Sequence, residues 1–90
     1  ITLKKGYYSI TAMRKTPDGK GFIVAEDKSG MGLYKANGIA GEGTDGWDKL
    51  ELVVDVPEKM TGKEMAIYLW YPGKETCSFD DVTITWYEIQ

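Results

Sequence analysis

The sequence predicts an all-β domain, an antiparallel β-sandwich of about six to seven strands. Apolar residues alternate with polar ones along much of the chain, which is the period of a strand with one buried face. Turn residues recur at a spacing of roughly 10–15 residues, as in all-β sandwiches. Helical periodicity is nearly absent, so a fold with helices between parallel strands is disfavoured.

The first half of the chain predicts three strands and a loop. After a short strand candidate at residues 1–3, Tyr8, Ile10 and Ala12 define one face of a long strand that ends near Arg14. Residues 16–19 contain Pro and Gly and predict a turn, after which residues 21–27 are expected to pair back as a hairpin. A weaker edge strand is predicted at 31–35. Residues 37–46 are rich in Gly, lack periodicity and predict an exposed loop.

The second half predicts three more strands. Residues 47–56 carry an apolar face and end at Pro57, which cannot donate to a ladder. Residues 65–70 alternate next, and a turn at 71–74 leads into the last strand, 79–86. This strand is expected to bury one face, formed by Val82, Ile84 and Trp86.

One apparent motif, G-x-G-x-x-G at residues 41–46, is rejected as a dinucleotide site. That motif requires a preceding strand and a following helix whose N-terminus holds the pyrophosphate. The segment that follows alternates as a strand, and Glu42 and Asp45 would repel phosphate. We therefore expect no nucleotide cofactor.

Composition excludes several classes of function. The 90 residues form a single domain, 1–90, with a net charge of −3 and no basic stripe for nucleic acid. No apolar run approaches the ~18 residues of a membrane helix, so membrane insertion is not expected. The absence of His removes histidine bases, catalytic triads and histidine metal ligands. The single cysteine, Cys77, is expected to be an inert buried thiol. We expect no enzyme activity.

Asp80 and Asp81 begin the last strand, and among the polar residues they are the strongest indication of a functional site. Neighbours on a strand point to opposite faces, so one carboxylate is expected to be hydrogen-bonded or bound to an ion. Without a bulge, Asp80 would project on the core side. Calcium binding by Asp80 and Asp81 with loop carbonyls is one interpretation, and hydrogen bonds to loop amides are the other. As adjacent residues, the two acids cannot face each other across a glycosidase cleft.

The aromatic residues are the second indication of a functional site. If Met65 and its apolar partners face the core, Tyr68 and Trp70 lie on the opposite face, where their rings can stack on a sugar. Trp47 and Tyr34 are candidates to flank the same region. In the opposite register, Tyr68 and Trp70 themselves belong to the core.

Four runs follow one another in the order Gly6-Tyr7-Tyr8-Ser9-Ile10, Trp47-Asp48-Lys49-Leu50 leading to Val56-Pro57, Ile67-Tyr68-Leu69-Trp70, and Phe79-Asp80-Asp81-Val82-Thr83-Ile84. In this order they resemble the galactose-binding-like jelly rolls, which include many non-catalytic carbohydrate-binding modules of bacterial glycoside hydrolases. The resemblance implies sugar binding, a secreted or cell-surface location, and a structural calcium held partly by Asp80 or Asp81. The opening strand of that fold is missing before Ile1.

Two hypotheses about function follow. The first is a non-catalytic carbohydrate-binding module that binds a polysaccharide or oligosaccharide for a larger glycan-degrading protein. The second is a structural or protein-interaction sandwich that packs against a neighbouring domain or chain, because an open sheet edge invites pairing. In both hypotheses we expect the 90 residues to be part of a longer polypeptide.

Overall fold

The chain is mostly β-structure in a computed structural model, with a short 3-10 helix at Glu58–Met60. The structure describes residues 1–17, 20–28, 34–36, 38–42 and 46–88, and the side chains of residues 1–17, 20–28 and 46–88. The strands are β1 (Tyr7–Lys15), β2 (Phe22–Asp27), β3 (Tyr34–Ala36), β4 (Gly38–Glu42), β5 (Asp48–Asp55), β6 (Met65–Trp70) and β7 (Ser78–Tyr87).

These strands form two antiparallel sheets, which confirms the predicted all-β sandwich. The larger sheet has the order β4-β5-β1-β7, and the smaller sheet has the order β3-β2-β6. β2 packs over β5 and β1, and β3 packs over β5. In the described part of the chain, β6 and β7 are therefore edge strands on the same side of the sandwich.

The core lies between the inner faces of β1 and β5 in one sheet and of β2 and β6 in the other. Every second residue of β1 and β5 is buried, because side chains on a strand alternate between faces. The buried cluster consists of Leu3, Tyr8, Ile10, Ala12, Ile23, Ala25, Leu50, Leu52, Val54, Met60 and Met65. The predicted core faces of the first strand and of residues 47–56 are thus confirmed.

The predicted hairpin between the first two long strands is wrong. β1 pairs with β5 and β7, whereas β2 pairs with β3 and β6, so the connection between β1 and β2 crosses from one sheet to the other. The turn residues at 16–17 permit a change of direction. They do not decide whether the next strand pairs with the first or packs over it.

The predicted loop at residues 37–46 is also partly wrong. Residues 38–42 form β4, which pairs with β5 with a register shift between Ile39 and Gly41. The pairing uses backbone groups, so it does not require the apolar alternation that the sequence lacks here. Residues 37 and 43–45 lie outside the described part of the chain.

The last strand differs from its prediction in burial. Ile84 pairs with Ile10 and Trp86 with Tyr8, so this face of β7 does point to the inside of the sandwich. Nevertheless Val82, Ile84 and Trp86 are 49%, 44% and 38% exposed. The predicted burial of this face is therefore wrong, because among the described strands the smaller sheet ends at β6 and leaves β7 uncovered.

The buried Arg14 ties β1 to β5 and to the start of β2. It continues the inward alternation of β1, and its guanidinium donates to the Gly21 carbonyl at 3.1 Å and to the Asp48 carboxylate. Gly21 has φ +120°, and a Cβ there would lie 2.9 Å from the Arg14 side chain. A buried cation needs such partners, since an unpaired charge in a core is very costly.

We predict that Asp48→Asn destabilises the domain by about 3 kcal/mol, because it leaves the buried Arg14 cation without its counter-charge. This is a large fraction of the stability of so small a domain. The matched control is Asp55→Asn, an exposed acid at the other end of β5, which should cost less than about 0.5 kcal/mol. Urea denaturation of the three proteins measures both losses, and similar losses in the two variants would contradict the prediction.

The amino-terminal segment, residues 1–3, adds a short stretch of strand beside the start of β6. Thr2 and Glu64 form an antiparallel bridge, and the Leu3 side chain is buried in the core. The Thr2 hydroxyl donates to the Glu64 carboxylate, which lowers the pKa of Glu64, although desolvation opposes the shift. The terminal ammonium, 3.8 Å from Glu64 Oε2, acts in the same direction as Thr2.

We predict that Thr2→Val raises the pKa of Glu64 towards its ordinary value, as measured by an NMR titration of the side-chain carboxyl carbons. A lowered carboxyl pKa means that the contact stabilises the fold above the ordinary pKa of Glu. That contribution is lost as the pH falls through the lowered value. Thr85→Val, an exposed threonine on β7, serves as the control and should leave the Glu64 titration unchanged. An unchanged titration in Thr2→Val would refute the assignment of the shift.

Candidate binding cleft

A β-bulge near the start of β7 determines where the two adjacent carboxylates lie. Thr11 pairs with Thr83 and Met13 pairs with Asp80, so Asp81 and Val82 together lie opposite Ala12. Asp81 has φ +53°, in the left-handed region that aspartate tolerates better than most residues. Its backbone N–H donates to Asp80 Oδ1 at 2.8 Å.

The predicted core-side position of Asp80 is wrong. The bulge places Phe79, not Asp80, opposite the buried Arg14, and Phe79 packs against the core. Asp80 lies opposite Met13 on the outer face of the larger sheet, and both Asp80 and Asp81 are exposed. The sequence argument required a strand without a bulge, and the extra residue reverses the faces.

The carboxylates share a cleft with an aromatic ring. Met13, Trp47, Asp80 and Asp81 line a cavity of about 240 Å³, which we call the Trp47 cleft. Trp47 is half-buried just before β5, and the ammonium of Lys15 lies 6.0 Å from its ring centroid. The structure thus brings together three residues that the sequence had assigned to two separate sites.

A second cavity lies next to the Trp47 cleft. Its volume is about 430 Å³, and it lies where β1 ends and β7 begins. Lys15 joins the two cavities, because it lines the second and sits over the ring of Trp47 in the first. The residues lining this cavity are Lys15, Thr16, Pro17, Gly46, Thr76 and Ser78.

Trp70 and Tyr68 lie elsewhere, in the smaller sheet. Ile67 packs against the core, so of the two registers left open by the sequence the structure has the one with Tyr68 and Trp70 on the opposite face. Trp70 is 48% exposed and its ring centroid lies 5.9 Å from that of Phe22. The structure therefore separates this aromatic surface from Trp47.

Two other predictions remain untested, Tyr34 as a ligand-binding residue and calcium at Asp80 and Asp81. Tyr34 lies in β3 opposite Glu26, but its side chain lies outside the described part of the structure. Among the described residues no group of three His, Cys, Asp or Glu could hold a metal. Calcium at Asp80 and Asp81 stays a prediction. Cys77 is half-buried and not in a disulfide.

Sequence reasoning missed two residues of the site, Met13 and Lys15. Both lie on the outer face of β1, which alternates with the buried residues of that strand. The alternation could have assigned them to this face. It could not have shown that Trp47 and Asp80 lie beside them, because those contacts depend on the pairing of β1 with β5 and β7.

Chemically, the cleft offers a flat apolar ring and two carboxylate acceptors, and the ammonium of Lys15 lies 6.0 Å from the centroid of that ring. A sugar ring presents an apolar C–H face and a rim of hydroxyl groups, and a few well-placed polar groups are enough to orient such a ligand. The two carboxylates are neighbours on one strand, so they cannot act from opposite sides of a glycosidic bond.

Comparisons with protein-family models, with curated proteins and with solved structures find no match to this chain.

Within the described residues, no helix is long and apolar enough to cross a membrane.

We predict that Asp81→Val destabilises the domain by roughly 1–2 kcal/mol, because a β-branched residue is strained at a positive φ. Asp81→Gly also removes the carboxylate, but glycine adopts this conformation without strain and should cause no comparable loss. Thermal unfolding of the two variants measures the difference. Equal effects would mean that the bulge conformation does not constrain the residue.

Proposed function

We propose that this domain is a non-catalytic carbohydrate-binding module whose ligand binds in the Trp47 cleft. The observation that carries the proposal is the cleft itself, which places Trp47 beside the carboxylates of Asp80 and Asp81. One face of a sugar ring would lie on the indole. Its hydroxyl groups would donate hydrogen bonds to the two carboxylates.

The surroundings of Trp47 support a ring held in place before binding. Trp47 is half-buried, and its neighbour Asp48 is held by the buried Arg14. A ring that is already ordered loses little side-chain entropy when a ligand stacks on it. Stacking on Trp47 therefore costs less than it would on a fully mobile surface ring.

The size and charge of the cleft indicate the class of sugar. A volume of about 240 Å³ lies below the ~300–1,000 Å³ typical of sites for drug-sized ligands, so it suits one sugar ring. The adjacent cavity of about 430 Å³ could receive a second ring. Two carboxylates would repel an acidic sugar, so neutral sugars are the expected ligands.

Binding should be screened on an array of neutral and acidic polysaccharides and then measured by titration calorimetry with the best oligosaccharide. We predict that Trp47→Ala weakens binding at least tenfold, which corresponds to a loss of about 1.4 kcal/mol. The matched control is Trp70→Ala, which removes a ring of the same type from the smaller sheet and should bind like wild type. Far-ultraviolet circular dichroism and thermal unfolding test whether both variants remain folded.

Comparison of the two variants also shows which aromatic ring binds the sugar. Loss of binding in Trp70→Ala but not in Trp47→Ala would move the site to the aromatic surface of the smaller sheet. No binding to any polysaccharide by the folded wild-type protein would contradict the proposed function.

A further inference from the structure

The second cavity differs in charge from the Trp47 cleft beside it. The Trp47 cleft is lined by two carboxylates, whereas Lys15 is the charged side chain among the described residues that line the second cavity. The other polar side chains there are the hydroxyl groups of Thr16, Thr76 and Ser78. Ammonium and hydroxyl groups donate hydrogen bonds, and carboxylates only accept them. The two neighbouring cavities therefore suit ligand groups of opposite character.

The pairing of β1 with β7 sets the distance between the two kinds of groups. Lys15 pairs with Ser78 and Met13 pairs with Asp80, all on the outer face of the larger sheet. Residues two apart on a strand are separated by about 7 Å. An anion that contacts Lys15 beside Ser78 is thus separated from Asp80 by nearly the Debye length of about 8 Å at physiological ionic strength. Because Coulomb energy falls with distance and with screening, the attraction to Lys15 exceeds that repulsion.

The side chain of Lys15 lies between the two cavities. A Cβ placed on Gly46 would lie 3.6 Å from Lys15 Cε, so the stem of Lys15 passes close to the backbone that precedes Trp47. Its ammonium lies 6.0 Å from the Trp47 ring centroid, at the outer limit of a cation–π contact. Among the described residues no ion pair involves Lys15. Its positive charge is therefore held next to the cleft and is not neutralised by any described carboxylate.

We propose that the second cavity binds an acidic sugar, whose ring carries a carboxylate or a sulfate group, next to the neutral sugar on Trp47. This inference rests on the proposed function and names its class of ligand, a glycan in which a neutral sugar adjoins an acidic one. Lys15 pairs with the anionic group, and the hydroxyl groups of Thr76 and Ser78 donate to it. The two carboxylates of the Trp47 cleft exclude an acidic ring there, so the cavities also fix the order of the two sugars.

An acid that is part of the glycan fits this cavity better than a free anion. Lys15 is exposed, and a single exposed ammonium binds a free anion weakly because water and salt screen the attraction. When the neutral sugar is bound on Trp47, the acid attached to it has a high effective concentration at Lys15. The two contacts therefore strengthen each other in one ligand.

The first test uses the neutral disaccharide that binds best and two derivatives of it. In each derivative the C6 hydroxymethyl group of one ring is oxidised to a carboxylate. By titration calorimetry, we expect one derivative to bind about fivefold more tightly than the neutral disaccharide, as expected for an added exposed ion pair. The other derivative should bind more weakly, because its carboxylate meets those of the Trp47 cleft. A sulfate in place of the favourable carboxylate shows which anion the cavity prefers.

The matched variants are Lys15→Met and Lys49→Met, which remove the same charge from the outer face of the larger sheet. Lys49 lies on β5 opposite Met13 and is not among the described residues that line either cavity. Lys15→Met should reduce the preference for the acidic derivative to about one, whereas Lys49→Met should keep it. Thermal unfolding tests whether both variants remain folded.

A second test examines the cavity without the Trp47 cleft. Sodium glucuronate, titrated into the protein and followed by NMR, should shift the amide signals of Thr76 and Ser78. Glucose at the same concentration should not shift these two signals. The glucuronate shifts should be lost in Lys15→Met and retained in Lys49→Met.

The two tests separate failure of this inference from failure of the proposed function. Binding of the neutral disaccharide with no gain in either acidic derivative overturns the inference and leaves the proposed function standing. A preference that survives in Lys15→Met, or that Lys49→Met loses equally, also overturns it, because overall charge would then explain the preference. If no neutral glycan binds, the proposed function fails. The pairing of the two sugars then fails with it, and shifts by glucuronate that require Lys15 would leave only the anion site.

Discussion

The buried ion pair between Arg14 and Asp48 is the contact on which the rest of the sandwich depends. Arg14 occupies an inward position of β1, where the alternation of that strand would otherwise place an apolar side chain. Its guanidinium reaches both β5 and the Gly21 carbonyl, so it joins two neighbouring strands to the segment that enters the other sheet. The close approach of Gly21 leaves no room for a side chain. The crossing from β1 to β2 is therefore fixed at this point.

The same end of the sandwich carries the candidate site. Trp47 precedes the acid that binds Arg14, and the bulge in β7 turns the two carboxylates outwards beside it. A regular strand would have pointed Asp80 at the core, where burial of its charge would have been costly. The bulge removes this conflict and also supplies the cleft with its acceptors. A local irregularity thus serves both stability and the proposed binding.

The open side of the sandwich, formed by the edge strands β6 and β7, has a different character. β6 and β7 are edge strands with exposed apolar side chains, among them Leu69 and Ile84. Native sheets usually protect their edges with charges, prolines or covering segments. Residues 1–3 cover the first part of β6, and among the described residues nothing continues this pairing beyond Met65. The domain therefore presents two different surfaces, the Trp47 cleft and the exposed apolar side chains of β6 and β7.

The sequence by itself determined the fold class and the strands of the second half, because side-chain alternation is a local property of a strand. It did not determine which strands pair. The separation of β1 and β2, the strand at residues 38–42 and the exposed face of β7 all depend on contacts between distant residues. The cleft also depends on contacts between distant residues. A bulge in β7 and the pairing of β1 with β5 and β7 place Trp47 beside Asp80. Only the tertiary structure could decide these features, because backbone pairing and sheet coverage leave no periodic signal in the residues themselves.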